Sequence, residues 1–138
     1  MANTLEFLNE TDRKLLSSRS KKLTFAAGQA LIREGDPSWA LYVVTEGTAR
    51  VERNGKAIAT MSEGDIFGEM SFLESGNASA TVTAQDDLSV ELIESRELLQ
   101  TFESFPHLGA RFYRSIAVTL SRRLRETSRL LAEATSAS

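Results

Sequence analysis

The stretch from Phe67 to Val82, FGEMSFLESGNASATV, places a glycine and a carboxylate at the start of a predicted helix. A strand is predicted to end at Phe67, and a short helix begins at Glu69 with backbone N–H groups that lack helical partners. Such amides attract an anion, and Gly68 lets a ligand approach the backbone without meeting a Cβ atom. Because a carboxylate accepts hydrogen bonds from hydroxyls, these residues predict a site for a hydroxyl-bearing anion.

A simpler interpretation gives the same two residues a purely structural role. Glu69 would cap its own helix, and Gly68 would only permit a tight turn. The two interpretations differ in where the carboxylate points, and the sequence leaves both open.

Composition limits the other kinds of site. The 138 residues include no cysteine and one histidine, His107, so metal sites are not expected. An enzyme on a cupin-like barrel needs several histidines and carboxylates at the barrel mouth, so catalytic activity is not expected either. The net charge of −3 argues weakly against a nucleic-acid partner. No apolar run is long enough for a bilayer and the start lacks the features of a secretory signal, so a cytoplasmic protein is predicted.

Short strands are predicted for the middle of the chain. Turn signals such as Asn54-Gly55 and Gly64-Asp65 recur roughly every 8 to 12 residues, as in antiparallel sandwiches and barrels. Apolar and polar residues alternate between the turns, for example at Ala49 and Val51, which gives each strand one buried face. We therefore predict a β barrel over residues 21–94.

Helices are predicted on both sides of this barrel. Residues 1–20 form an N-terminal helical segment, and residues 95–132 contain two C-terminal helices that are separated at Pro106. Residues 133–138 have nothing to bury and are predicted to be a flexible tail. The chain is thus predicted to be a single domain over residues 1–138.

The last predicted helix presents two surfaces. One is an apolar seam with alternating steps of three and four residues, as in a coiled coil, and it contains Ala117, Leu120, Leu124, Thr127 and Leu131. We predict a homodimer through this seam, and the alternative is that the whole seam packs on the barrel. The opposite surface is predicted to be solvated, and it carries Arg111, Arg114, Arg122, Arg125 and Arg129.

The order of these elements resembles the cyclic nucleotide-binding domain family. AAGQALIREGDPSWALYVVTEGTARV is similar to the first half of such a domain, and GKAIATMSEGDIFGEMSFLE is similar to its continuation into the phosphate-binding cassette. The resemblance covers nearly the whole chain, and G-D-x-F-G-E followed by A-T-V is its most specific part. It implies an eight-stranded antiparallel jelly-roll barrel with an N-terminal helix and two C-terminal helices, the last long and coiled-coil-like.

The resemblance also implies a ligand, cyclic AMP or cyclic GMP, and the residues that hold it. Gly68 and Glu69 would hold the sugar, and the amides of Met70 and Ser71 would lie near the phosphate. The remaining implied cassette residues are Phe67, Ala78, Ser79, Ala80 and Thr81. On the last helix, the implied contacts to the base are Thr127 and Ser128, with Arg123 nearby.

One position departs from the family pattern. The arginine that pairs with the ligand phosphate in the family aligns with Ala78, and neither lysine nor arginine occurs between Lys56 and Arg96. A charge-assisted hydrogen bond contributes about 1.5 to 3 kcal/mol, so its loss weakens binding about tenfold to a few hundredfold. Acidic residues dominate the surrounding segments, so a field that repels anions is predicted unless the last helix supplies counter-charge. Arg123 is the candidate replacement, and the alternative is that it extends to water along the helix edge.

Two functions remain open. The first is a regulatory sensor module that binds a cyclic nucleotide or another small anion weakly and relays its ligand state to an unknown protein partner through the C-terminal helix. The second is a ligand-free dimerisation scaffold that has lost cyclic nucleotide binding. Ala78 favours this second function, because it stands in place of the phosphate-binding arginine. In catabolite activators this helix leads into a helix-turn-helix domain, which is not found in the present sequence, so direct nucleic-acid binding is not expected. Membrane association is not expected either, because no apolar run is long enough for a bilayer.

Overall fold

The structure is a computed structural model that describes residues 5–74 and 76–136. In these residues the chain forms eight strands: β1 (Lys21–Phe25), β2 (Ala30–Ile32), β3 (Ala40–Glu46), β4 (Ala49–Arg53), β5 (Lys56–Met61), β6 (Ile66–Phe67), β7 (Thr81–Ala84) and β8 (Leu88–Glu94). It also forms four helices: α1 (Glu10–Ser18), α2 (Glu69–Glu74), α3 (Ser95–Ser104) and α4 (Pro106–Ser136).

The strands form two antiparallel four-stranded sheets with the orders β1-β8-β3-β6 and β2-β7-β4-β5. The predicted jelly-roll class with flanking helices is therefore confirmed. The predicted closed barrel is wrong, because in the described residues no strand of one sheet pairs with a strand of the other. The edge strands β6 and β2 have only two and three residues, too few to continue a hydrogen-bonded ladder around the structure.

Two apolar clusters hold these elements together. The cluster between the sheets includes Val44, Ala49, Val51, Phe67, Val82, Leu88 and Val90. The cluster beneath the helices includes Leu16, Leu41, Ile93, Leu98, Leu108, Phe112 and Ile116. The second cluster joins α1, α3 and the first part of α4 to one sheet, so the helices are an integral part of the core.

Helix α4 is longer than the sequence predicted. We placed its end near Ala132 and expected residues 133–138 to form a tail, but the helix continues to Ser136. Local contacts support the extra turn: Arg129 pairs with Glu133 four residues later, and the Thr135 hydroxyl donates to the carbonyl of Leu131. Residues 137–138 lie outside the described residues.

The arginines opposite the apolar seam are less independent than predicted. Arg111 is half-buried and makes two hydrogen bonds of 2.6 and 2.8 Å to the carboxylate of Asp12 in α1. The Arg114 guanidinium lies 4.2 Å from the ring centroid of Phe7, a favourable cation–π distance. Because the N-terminal segment packs along this side of α4, a fully solvated surface was the wrong prediction here.

Within the described ranges, none of the helices has both the length and the apolar character that spanning a bilayer requires.

Candidate functional site

A cavity of about 690 Å3 opens between sheet β2-β7-β4-β5, the cassette (residues 67–82) and α4. This volume lies within the range of small-molecule sites, about 300 to 1,000 Å3. Its floor is apolar and comes from strands β2, β4, β5 and β7, with Ile32, Val51, Met61 and Val82 among the lining residues. We refer to this space as the cavity.

Gly68 lies where β6 ends and α2 begins. Its φ angle is 86°, in the left-handed region, and a Cβ atom at this position would lie 2.6 Å from the carbonyl oxygen of Ala40 in β3. The glycine is therefore required by the backbone geometry itself. It also lines the cavity, so the tight-turn role does not exclude a contact with a ligand.

Glu69 follows directly and is 8% exposed while lining the cavity. Burial raises the pKa of its carboxyl group, whereas a hydrogen bond from its own backbone N–H and the charge of Arg123 act in the opposite direction. This contact with the first backbone N–H of α2 is compatible with the structural role suggested from the sequence. Glu69 also lines the cavity, so the structural role does not exclude a contact with a ligand.

Arg123 on α4 reaches this carboxylate. Its Nη1 atom lies 3.7 Å from Oε1 of Glu69, so the helix and the cassette are linked by an ion pair across the cavity. The sequence had suggested Arg123 as a source of positive charge at the site, and the structure places it there. In the structure, however, the Arg123 guanidinium pairs with the Glu69 carboxylate.

The other end of the cassette contains Ala78. Ala78 is 8% exposed and lines the cavity. Its N–H donates to the carbonyl of Asp36 at 2.8 Å, and its own carbonyl accepts from the N–H of Gly35 at 2.9 Å. The backbone of Ala78 is therefore committed to the β2–β3 loop and has no N–H left for a ligand.

The remaining predicted cassette residues divide into three groups. Phe67, Ser79 and Ala80 line the cavity. The Thr81 hydroxyl instead accepts a hydrogen bond of 2.9 Å from the N–H of Glu34 in the β2–β3 loop. The backbones of Met70 and Ser71 lie in the first turn of α2, and their side chains lie outside the described residues.

Helix α4 supplies one wall of the cavity with Thr119, Arg122, Arg123, Glu126 and Thr127. Thr127 is therefore where the sequence predicted it. Ser128 is an exposed residue of α4 that does not line the cavity, because adjacent residues of a helix point in directions about 100° apart.

The charge around the cavity is more balanced than the sequence indicated. Three acidic and three basic residues line it: Asp65, Glu69 and Glu126, and Arg53, Arg122 and Arg123. The prediction of an anion-repelling field considered only neighbours in sequence, and it missed Arg53 and Arg122. Arg53 had a recognisable signal, because it follows Ala49 and Val51 on the inward-facing positions of β4.

The cassette also contacts the C-terminal helices through aromatic rings. The ring centroid of Phe72 in α2 lies 6.0 Å from that of Phe112 and 6.5 Å from that of Phe102. Tyr113 lies 6.2 Å from Phe72 by the same measure. The side chain of Phe72 therefore packs α2 directly against α3 and α4.

Metal ligands do not cluster in the described part of the chain, where no group of three or more His, Cys, Asp or Glu residues could hold an ion.

The structure thus combines a jelly roll, a glycine–glutamate turn at a cavity and a long C-terminal helix. The profile of the cyclic nucleotide-binding domain family matches residues 22–105, more than half of the chain. The chain therefore belongs to the cyclic nucleotide-binding domain family, as the sequence resemblance predicted.

Relatives of known name support this assignment. The chain is 34% identical over 94 residues to a cGMP-dependent protein kinase of Toxoplasma gondii, a match that covers 68% of this chain and 9% of the kinase. It is 29% identical over 117 residues to the cyclic AMP receptor protein of Thermus thermophilus, covering 81% of this chain and 52% of the receptor. The chain thus spans about half or less of the length of these relatives.

The crystal structure of the Thermus thermophilus catabolite activator protein has the same fold. The two superpose with a TM-score of 0.82 at 27% sequence identity, and the match covers 97% of this chain and 63% of the activator. The similarity includes helix α4, which lies outside the region matched by the family profile.

Proposed function

We propose that the chain is a cytoplasmic, non-enzymatic sensor module whose cavity binds a cyclic nucleotide and whose α4 helix relays the bound state to a protein partner. The observation that carries this proposal is Glu69, an acidic residue that is 8% exposed and lines a cavity of about 690 Å3. A buried acid of this kind needs hydrogen-bond donors, and ribose hydroxyls supply them. The names of the kinase and receptor relatives point to cyclic GMP and cyclic AMP.

The relay follows from the groups that contact Glu69. Arg123 of α4 lies 3.7 Å from this carboxylate, where a ribose hydroxyl would compete with the guanidinium. Binding would therefore shift the balance between α4 positions that do and do not make this ion pair. The Phe72 contacts provide a second connection between α2 and the C-terminal helices.

A homodimer is part of the same proposal. Leu124 and Leu131 are each 67% exposed on the seam of α4, and a second copy of the helix would cover them. A dimer would also place a second α4 next to the cavity residue Thr127. We propose residues 1–138 as one domain, with any partner binding through its C-terminal helix.

The second candidate function is a ligand-free dimerisation scaffold. Two observations favour it: Ala78 stands where the family's phosphate-binding arginine is expected, and the leucines on the second part of α4 are exposed. In this case Glu69 would serve only as a cap for α2 and a partner for Arg123.

Amide NMR titration separates the two functions. Labelled protein is titrated with cyclic AMP, cyclic GMP, cyclic CMP and cyclic UMP, which share the sugar and the phosphate and differ in the base. A sensor gives saturable shifts at Gly68, Glu69, Ser79 and Ala80 and at Arg123 on α4. A scaffold gives no shift with millimolar ligand, and that result would contradict the proposed function.

A further inference from the structure

The cassette's lost positive charge has a counterpart on a neighbouring strand. In the β4–β7 ladder Val51 pairs with Val82 and Glu52 pairs with Thr81. This antiparallel register continues by one step to Arg53 beside Ala80, at the end of the cassette. The fold therefore brings Arg53 next to the segment from which the arginine is missing, although it lies 25 positions before Ala78 in the sequence.

The guanidinium is held at this place by a direct hydrogen bond. Nε of Arg53 donates to the carbonyl oxygen of Ser79 at 2.9 Å, and Arg53 and Ala78 both line the cavity. An arginine has five N–H donors in one plane, so this single bond leaves the outer edge of the group available for an oxyanion. The contact therefore orients the guanidinium and leaves most of its donors unused.

The hairpin that carries Arg53 is also tied down. The N–H of Asn54 donates to Oε1 of Glu34 at 3.0 Å, and the N–H of Glu34 donates to the Thr81 hydroxyl at 2.9 Å. Asn54 is in the left-handed conformation with a φ of 54°, which asparagine tolerates in a tight turn. The end of β4 is thereby fixed against the β2–β3 loop and the start of β7.

The three cavity arginines differ in their partners. Arg123 pairs with Glu69 and Arg122 pairs with Glu6. In the part of the chain that the structure describes, no carboxylate pairs with Arg53, although it lines the same cavity. Its positive charge is therefore the one most available to an anionic ligand.

We propose that Arg53 is the phosphate-binding residue of the cavity, so that the contact supplied by the cassette in other family members is supplied here by β4. The ligand group is the singly charged phosphodiester of a cyclic nucleotide, with the sugar directed to Glu69. This inference rests on the proposed function and assigns the one ligand group for which the cassette has no side chain.

The test compares ligands with and without a phosphate. Binding of the four cyclic nucleotides and of the matching nucleosides is measured by calorimetry for the native chain and for Arg53→Gln. We expect Arg53→Gln to weaken the cyclic nucleotide about tenfold to a few hundredfold and to leave the nucleoside unchanged. The control is Arg50→Gln on the same strand, which removes the same charge from a residue that pairs with Glu52 and does not line the cavity.

A rescue variant tests position directly. Ala78→Arg in the Arg53→Gln background returns an arginine to the cassette, and we expect it to recover at least tenfold in affinity for the cyclic nucleotide. Unchanged affinity in Arg53→Gln, or an equal loss for nucleotide and nucleoside, would overturn the assignment of Arg53 while the proposed function stands. A native chain that binds none of the four cyclic nucleotides would overturn both.

Discussion

The two halves of α4 differ in how far the domain covers their apolar side chains. In residues 106–120, Leu108, Phe112 and Ile116 are at most 2% exposed, because the N-terminal segment, α3 and the β1-β8-β3-β6 sheet pack around them. In residues 121–136, Leu124 and Leu131 are each 67% exposed. These leucines of the seam lie beyond the surface that the domain covers, so the second half of the helix is suited to a partner.

The cavity lies at the junction of the two halves. Thr119, Arg123 and Thr127 line it from successive turns of α4, while Phe112 one to two turns earlier is fully buried. The first half therefore packs into the core of the domain, and under the proposed function the second half is the part whose position a ligand would change. This division predicts that substitutions in the two halves affect different properties.

The largest expected effect is a loss of stability, caused by the substitution Phe112→Ala in the first half of α4. This substitution empties the centre of the helical cluster and is expected to lower the free energy of unfolding by about 3 to 5 kcal/mol. Urea denaturation at low protein concentration measures it. Leu124→Ala is the matched control in the second half, where an exposed site is expected to change the value by less than about 0.5 kcal/mol. Equal losses at the two positions would contradict the division of α4.

The next largest effect is weaker self-association, caused by the double substitution Leu124→Ser and Leu131→Ser. Each leucine that is covered in a dimer contributes about 1.5 to 3 kcal/mol, so the dimer dissociation constant is expected to rise about a hundredfold or more. Analytical ultracentrifugation over a range of concentrations measures it. Leu99→Ser on α3, where a leucine is 49% exposed outside the seam, is the control. A native chain that stays monomeric would contradict the homodimer.

The difference between the halves was only partly predictable from the sequence. The helical period identified the apolar seam, and the breaks at Asn54-Gly55 and Pro106 identified element ends. Which apolar residues of α4 are covered depends on the three-dimensional packing of α1 and α3, and periodicity carries no information about that packing. The strand alternation likewise predicted the sheets but could not show that their short edge strands leave the barrel open.

The candidate site shows the same limit. Gly68 and Glu69 were recognisable because they are adjacent and stand at a strand–helix junction. Arg53 was missed because its approach to Ser79 depends on the register of β4 and β7. A charged residue on the inward face of a strand was the available signal. Arg111 was assigned to a solvated surface because its partner Asp12 is 99 positions away.

A smaller effect, on ligand affinity, is expected for the substitution Glu69→Gln in the cavity. Loss of the carboxylate removes a charge-assisted acceptor for a ribose hydroxyl, so affinity for the cyclic nucleotide is expected to fall about tenfold to a hundredfold. Calorimetry measures it, with Glu74→Gln at the exposed end of α2 as the control. Unchanged affinity would leave Glu69 only its capping role.

The same residue predicts the pH dependence of binding. Burial raises the pKa of Glu69 above its ordinary value of 4.5, so its carboxylate takes up a proton at a higher pH than an exposed glutamate does. Affinity is therefore expected to be constant well above the raised pKa and to decline as the pH falls through it. Glu69→Gln should abolish this decline, which calorimetry across mildly acidic pH will show.

The smallest expected effect tests how the first half of α4 is anchored to α1. The hydrogen bonds from Arg111 hold the pKa of Asp12 below its ordinary value of 3.8. The folded state therefore binds this proton less tightly than the unfolded state, so the stabilisation is fully present above pH 3.8 and is lost as the pH falls through the lower folded value.

Asp12→Asn is expected to lower stability at neutral pH, by less than Phe112→Ala, and to flatten the acid limb of the stability profile. Glu10→Gln, which removes an exposed pair with Lys14, is the control because exposed pairs contribute little. An Asp12→Asn profile parallel to that of the native chain would show that the contact between α1 and α4 depends on apolar packing alone.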